Sequence, residues 1–190
     1  RTLFYFAITG LLAGITMYTY LAARFVPLVI LLLFLTQLLS GRITRRHWIG
    51  LLLMTTIWAV VYSPLVFYLW DNSDSFVRRS NQVTTIPYAL NGDFGPMIKN
   101  TVRTLGMFTV QGDTTDRYNL DGRPVFNPVS ALFFYLGLAV LLWGAIRRPR
   151  RAAREVLLLG GSVVMLLPDF ITDDSPHFLR TIGALPLIYI

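Results

Sequence analysis

From Leu3 to Leu39 the chain is almost unbroken apolar sequence, and this run limits the fold more than any other feature. At about 1.5 Å per residue a single helix over it would measure roughly 55 Å. The hydrocarbon layer of a bilayer is only ~30 Å thick and is crossed by about 20 apolar residues. The run is therefore two spans. The break falls at Ala23-Arg24-Phe25-Val26-Pro27, where a charge costing ~2.5–3.5 kcal/mol at mid-membrane meets a helix-breaking proline.

The same reasoning along the rest of the chain places spans at about 3–22, 26–40, 48–70 (with Pro64 as a kink), 129–146, 155–168 and 179–190. The expected fold is all-α: a polytopic membrane helical bundle of about six spans, forming part of one transmembrane domain over 1–190. One long outer loop, 71–128, separates the third span from the fourth. Hydrophobic residues make up 54% of the chain and charged residues 14%, against about a quarter charged in soluble domains. There is no cysteine, hence no disulfide framework or thiolate metal site. Residue 1 is Arg and the chain stops inside the apolar run LPLIYI, so a longer parent polypeptide is expected.

The placement of basic residues sets an orientation. The linker GRITRRH (41–47) has three Arg and RRPRRAAR (147–154) has five, with no acid in either. The linker 71–128 balances six Lys+Arg against six Asp, and 169–180 has one Arg against three Asp. By the positive-inside rule the first two linkers are cytoplasmic, and 71–128, 169–178 and the Arg24 turn face out. The net charge of +7 thus falls at helix ends near anionic lipid, and no nucleic acid is expected as a partner. Within the outer loop, PMIKNTVRTLGMF (96–108) puts Met97, Ile98, Val102, Leu105 and Phe108 on one side of a helix. Lys99, Asn100, Arg103 and Thr104 fall on the other. This describes either a helix in the membrane interface or one packed on an outer domain.

The stretch GDTTDRYNLDGRPVFNP (112–128) interrupts these apolar surroundings with a dense polar knot. It brings Asp113, Asp116, Arg117, Asn119, Asp121 and Arg123 to the outer surface, which also receives Arg24, Asp169, Asp173, Asp174, His177 and Arg180. Arg forks bind phosphate bidentately while Asp and Asn grip hydroxyls, so the gathering suits an anionic amphiphile such as a sugar on a lipid phosphate. Simpler readings stand beside this one. Asp121-Gly122 is a type I or II turn in its own right, and Arg117 and Arg123 pair with Asp113 or Asp116. Arg24 snorkels to headgroups, and His177 beside Pro176 is a surface histidine. The spacing Asp169-x3-Asp173-Asp174-x2-His177 is the nearest to a set of metal ligands but is not a strong one, so metal is the minority reading there. No Ser-His-Asp set, phosphate-cradling glycine loop or Cys/His cluster is present. No metal or cofactor is expected.

Three motifs add a resemblance. GD…RYNLxGRPxxNP leading into a span, YTYLAARFVP at 18–27 and PHFLRTIGALP at 176–186 resemble bacterial membrane glycosyltransferases of family 39. These are relatives of the protein O-mannosyltransferases and of the aminoarabinose transferase of lipid A. The resemblance implies a C-type glycosyltransferase fold in the plasma (inner) membrane with its active face extracytoplasmic. It implies an inverting transfer from a polyprenyl-phosphate sugar to a lipid, glycan or protein acceptor. Arg24, Arg117, Arg123 and Arg180 are the implied donor-phosphate ligands, and Asp113, Asn119 and His177 the residues positioning sugar or acceptor. The catalytic carboxylate is expected upstream of residue 1. Phe126-Asn127 departs from the Leu-Asp expected after Arg-Pro, which leaves no acid at 127. Two other readings are a transporter or flippase of lipid-linked precursors and a non-catalytic membrane subunit. Transport usually needs ionisable residues at mid-membrane, whereas Gln37, Thr55 and Thr56 are the most polar residues inside the expected spans.

Overall fold

A computed structural model describes residues 2–41, 43–73, 84–147 and 152–189. Most of the polar loop 71–82 and part of each basic linker lie outside these residues. The described elements are helical. They are α1 (Thr2–Thr16), a 3-10 turn (Leu21–Phe25), α2 (Val26–Leu39), α3 (Arg45–Asp71), α4 (Ile86–Leu90), α5 (Gly95–Gly106), α6 (Pro128–Arg147) and α7 (Ala153–Phe170). The last element, α8 (Phe178–Ile188), has a 3-10 turn, Ile182–Ala184, between two short α segments. Among the described residues the one β feature is an isolated bridge between Thr84 and Thr172.

Three stretches, Leu21–Leu38, Arg45–Asp71 and Pro128–Arg147, are long and apolar enough to cross a membrane by length and composition. Thr2–Thr16 and Phe178–Ile188 are apolar but shorter. α7 spans 18 residues and includes Arg154, Glu155 and Asp169. The protein is thus an all-helical chain with membrane-spanning character in three of its helices.

Local chemistry explains where helices begin, end and persist. α1 stops at Thr16, short of the expected 22. There the Thr16 hydroxyl donates to the Ala13 carbonyl at 2.7 Å and Thr19 to the Thr16 carbonyl at 2.7 Å, which satisfies end-of-helix acceptors. Tyr20 is then extended. α3 continues through Pro64, whose missing N–H would orphan the Val60 carbonyl. The Ser63 hydroxyl donates to that carbonyl at 2.9 Å, and Tyr18 of the α1 exit donates to the next one, Val61, at 2.7 Å.

Helix pairs approach closely where side chains are small. A Cβ at Gly10 would collide with the Met54 carbonyl and one at Gly14 with Val61, so α1 lies directly against the α3 backbone. α2 and α7 meet at Gly160 and Gly161, against Leu32 and Val29. Small residues at crossings are the usual device where lipid removes any hydrophobic drive between helices. The core of Met107, Phe108, Phe126, Met165, Leu166 and Ala184, with Phe25 and Phe178 packed against it, gathers the ends of several elements. The Leu21–Phe25 turn, the loop after α5, the end of α7 and the start of α8 meet there.

Candidate functional site

The polar knot after α5 folds back on itself. Val125 and Phe126 donate their N–H groups to the Met107 and Phe108 carbonyls, and Gly112 donates to Gly122, each at 2.9 Å. At the tip, Arg123 N–H donates to the Leu120 carbonyl at 3.0 Å. Asp121 and Gly122 both have positive φ, 50° and 64°. That corrects the type I or II expectation for this turn. Left-handed φ at both central positions belongs to the mirror-image type I′, which Asp-Gly favours. Asn119 braces the loop from inside, donating to the Asp113 and Arg123 carbonyls at 2.8 Å each. Gly112 sits where no side chain fits, since a Cβ would run into the Arg123 carbonyl and the Phe178 ring. Asn127 accepts from Ser130 N–H at 2.9 Å and so caps α6. Asn and Asp cap equally well, so the departure from Asp at 127 preserves this role.

Two buried carboxylates hold the start of α8. Asp113, 1% exposed, accepts from Thr115 N–H at 2.8 Å and from Phe178 N–H at 2.9 Å. Burial alone would raise its pKa. The bonds from Phe178 and Thr115, together with the nearby His177 imidazole, outweigh burial and hold the carboxyl below its ordinary value. Asp169, 0% exposed, accepts from Thr104 Oγ1 at 2.6 Å and from His177 N–H at 3.2 Å. Arg180 Nη1 lies 3.9 Å from Asp169 Oδ1 and donates to Thr172 Oγ1 at 2.9 Å and the Asp173 carbonyl at 2.6 Å. His177 Nδ1 lies 3.9 Å from Asp113 Oδ2 and has no hydrogen-bond partner among the described residues. Its ring rests on Tyr118, centroid to centroid 5.0 Å.

In front of this scaffold lies a cavity of about 720 Å³ between the knot and α8. One side is polar: Asp116, Arg117, Tyr118, Asn119 and Arg123. The other is an apolar wall of Leu179, Ile182, Leu185 and Ile188 from α8, with Phe108 and Val125 beside it. Arg117 and Arg123 are exposed and pair with neither Asp113 nor Asp116. The ion pairs among the described residues are Arg154–Glu155, His177–Asp113 and Arg180–Asp169. Arg117 lies 5.7 Å from the Tyr118 ring centroid. Two guanidinium groups with no ion pair among the described residues thus line, beside Asp116, a cavity whose opposite wall is hydrocarbon.

Of the residues singled out from the sequence, Arg117, Arg123 and Asn119 line this cavity. Asp113 and His177 stand behind it, and Arg180 is tied to the strap 169–173. Arg24 sits on the 3-10 turn Leu21–Phe25, half-buried, and is not among the lining residues. Tyr118, Thr104 and the pivotal role of Asp169 were not foreseen. Asp169 did leave a signal, since an acid at the end of an apolar helix needs a partner. Thr104 left none, because its partner lies far away in sequence.

The chain matches no protein-family model, no curated protein and no solved structure.

Proposed function

We propose that the protein is a membrane glycosyltransferase that moves a sugar from a polyprenyl-phosphate donor to an acceptor on the extracytoplasmic face of the plasma membrane. The observation that supports this best is that one cavity sets Arg117 and Arg123, which make no ion pair among the described residues, opposite the apolar wall of α8. An anionic lipid-linked sugar has both features, a charged head and a hydrocarbon tail. The motifs shared with family 39 glycosyltransferases point the same way. The six-span bundle and the outward placement of the polar knot belong to this reading.

In this reading the acceptor oxygen bonds to the anomeric carbon as the bond from that carbon to the phosphate oxygen breaks. The electron pair stays on the phosphate, where Arg117 and Arg123 meet the growing charge. The acceptor proton passes to a carboxylate base. Asn119 and Tyr118 face the sugar. Asp113 and His177 position them from behind, and Arg180 and Arg24 add positive potential at the same end of the bundle.

The test is turnover of a radiolabelled polyprenyl-phosphate sugar by the full-length protein in nanodiscs. Wild type consumes the donor, while Arg117→Ala and Arg123→Ala lose turnover and donor binding together. Donor binding without turnover in wild type favours the transporter reading. Full turnover in both variants removes the two arginines from the mechanism.

A further inference from the structure

α5 is amphipathic in an inverted sense. Its polar side faces the protein: Asn100, 6% exposed, donates to the Thr172 carbonyl at 2.9 Å, and Thr104, 0% exposed, donates to Asp169. Its apolar side faces away. Ile98 is 60% exposed and Val102 65%, and with Phe94 and Leu105 they form one stripe along the helix. Tyr88 and Leu90 of the preceding turn extend the exposed apolar surface. A contiguous outward-facing surface of this kind marks an interaction site.

The geometry points to a lipid bilayer as the occupant, and we propose that α5 lies flat in the headgroup–acyl boundary on anionic lipid. Three observations select lipid over a protein partner. First, both anchors of α5, Thr172 and Asp169, are at the very end of α7. α7 packs along α2, part of a stretch long and apolar enough to cross a membrane, so a helix fastened to the end of α7 lies near the level where hydrocarbon meets water. Second, α6, joined to the loop after α5 by the Thr109–Tyr135 hydroxyl contact at 2.9 Å, also bears exposed apolar residues, Val129, Leu132 and Phe133. Third, residues 94–112 include Lys99 and Arg103 and no acid. Both cations are exposed and lie on one side of the stripe, between it and the buried Asn100–Thr104 face, from where long stems carry their charge to anionic headgroups. Docked in this way, α5 fixes the Asp169 clasp just beneath the headgroups. This inference stands whatever the cavity binds.

Residues 1–190 contain no cysteine; in full-length protein in nanodiscs, with any cysteine outside them replaced by serine, Ile98→Cys, Val102→Cys and Lys99→Cys each give a single nitroxide attachment site. At 98 and 102 the label is expected to be relaxed by oxygen far more than by an aqueous nickel chelate, with the opposite preference at 99. In discs rich in phosphatidylglycerol the oxygen preference at 102 exceeds that in phosphatidylcholine. Adding Lys99→Gln and Arg103→Gln erases that excess. Preference for nickel at 98 and 102 overturns the proposal, because the stripe then faces water. Low accessibility to both agents also overturns it, because a second copy or another protein then covers the stripe. Equal preference in the two lipids overturns the choice of anionic headgroups.

Discussion

Asp113 and Asp169, far apart in the chain, hold consecutive backbone N–H groups at the start of α8. Asp113 accepts from Phe178 at 2.9 Å and Asp169 from His177 at 3.2 Å. The first N–H groups of a helix have no partner within it, and a negative charge there is favoured by the helix dipole. Each carboxylate also holds a second element: Asp113 the polar knot through Thr115, Asp169 the helix α5 through Thr104. The wall of the cavity is therefore set by two carboxyl groups that never face it. Against burial, Asp113 is held below its ordinary pKa by its hydrogen bonds, while Asp169 is pushed up by burial.

The depressed pKa of Asp113 gives a direction for pH. Its folded value lies below the unfolded one, so the ionised carboxylate stabilises the fold at pH above the ordinary carboxylate value. That contribution is lost as pH falls through the depressed folded value. Asp113→Ala removes it at every pH and leaves two amides unsatisfied, at a cost on the order of 3 kcal/mol. Thermal unfolding in detergent is expected to show a clear drop at neutral pH that narrows in acid. A drop that is constant with pH contradicts the assignment.

Thr104→Val keeps the shape of the side chain and deletes its bond to Asp169. With both groups buried, the expected loss is about 1–3 kcal/mol, the range for a buried polar group left without its partner. Thr104→Ser restores most of it. Hydrogen exchange at the start of α8 should rise in the Val variant and stay near wild type in the Ser variant.

Gly112→Ala forces a Cβ into the Arg123 carbonyl and the Phe178 ring. Overpacking of this kind costs about 1–3 kcal/mol, and here it pushes apart the two walls of the cavity. Both the unfolding temperature and donor binding should fall. Gly137→Ala, inside α6 where an added Cβ meets nothing within 4 Å, is the control for added volume. Donor binding should stay the same there, and the unfolding temperature should hold or rise, since Ala favours a helix over Gly.

Arg123 and Arg180 should separate in their behaviour. Arg123 is exposed and makes no ion pair among the described residues, so Arg123→Ala should leave the unfolding temperature unchanged while weakening donor binding. Arg180 is tied to Thr172, Asp173 and Asp169. Arg180→Ala should lower the unfolding temperature as well. Equal stability losses in the two variants would sink the distinction.

Where proline and charge punctuate the apolar runs, sequence and structure agree closely. α2, α3 and α6 start and stop within a few residues of the expected spans, because Pro27, Pro128 and Arg147 mark their ends. α1 ends early because Thr16, Thr19 and Tyr18 cap its exit, and no spacing rule encodes that. For α5 the periodicity separates two faces without saying which one meets the protein. Asn100 and Thr104 lie inward because the strap after α7 offers them a carbonyl and a carboxylate. The polar knot contributes Asp116, Arg117, Asn119 and Arg123 to the lining of the cavity. The split between Arg117 and Arg123 on its lining and Asp113 behind it arises from the fold-back at Gly112 and the turn at Asp121-Gly122.

The 3-10 turn inside α8 has a consequence for what the cavity admits. Leu179, Ile182, Leu185 and Ile188 recur at every third position along the lining. On a regular α-helix, with 3.6 residues per turn, such a row spirals away from its starting face. Tightening part of the helix to three residues per turn brings successive side chains nearly above one another. The furrow they form runs straighter, so the tail of the proposed lipid-linked donor would stay extended along it instead of winding.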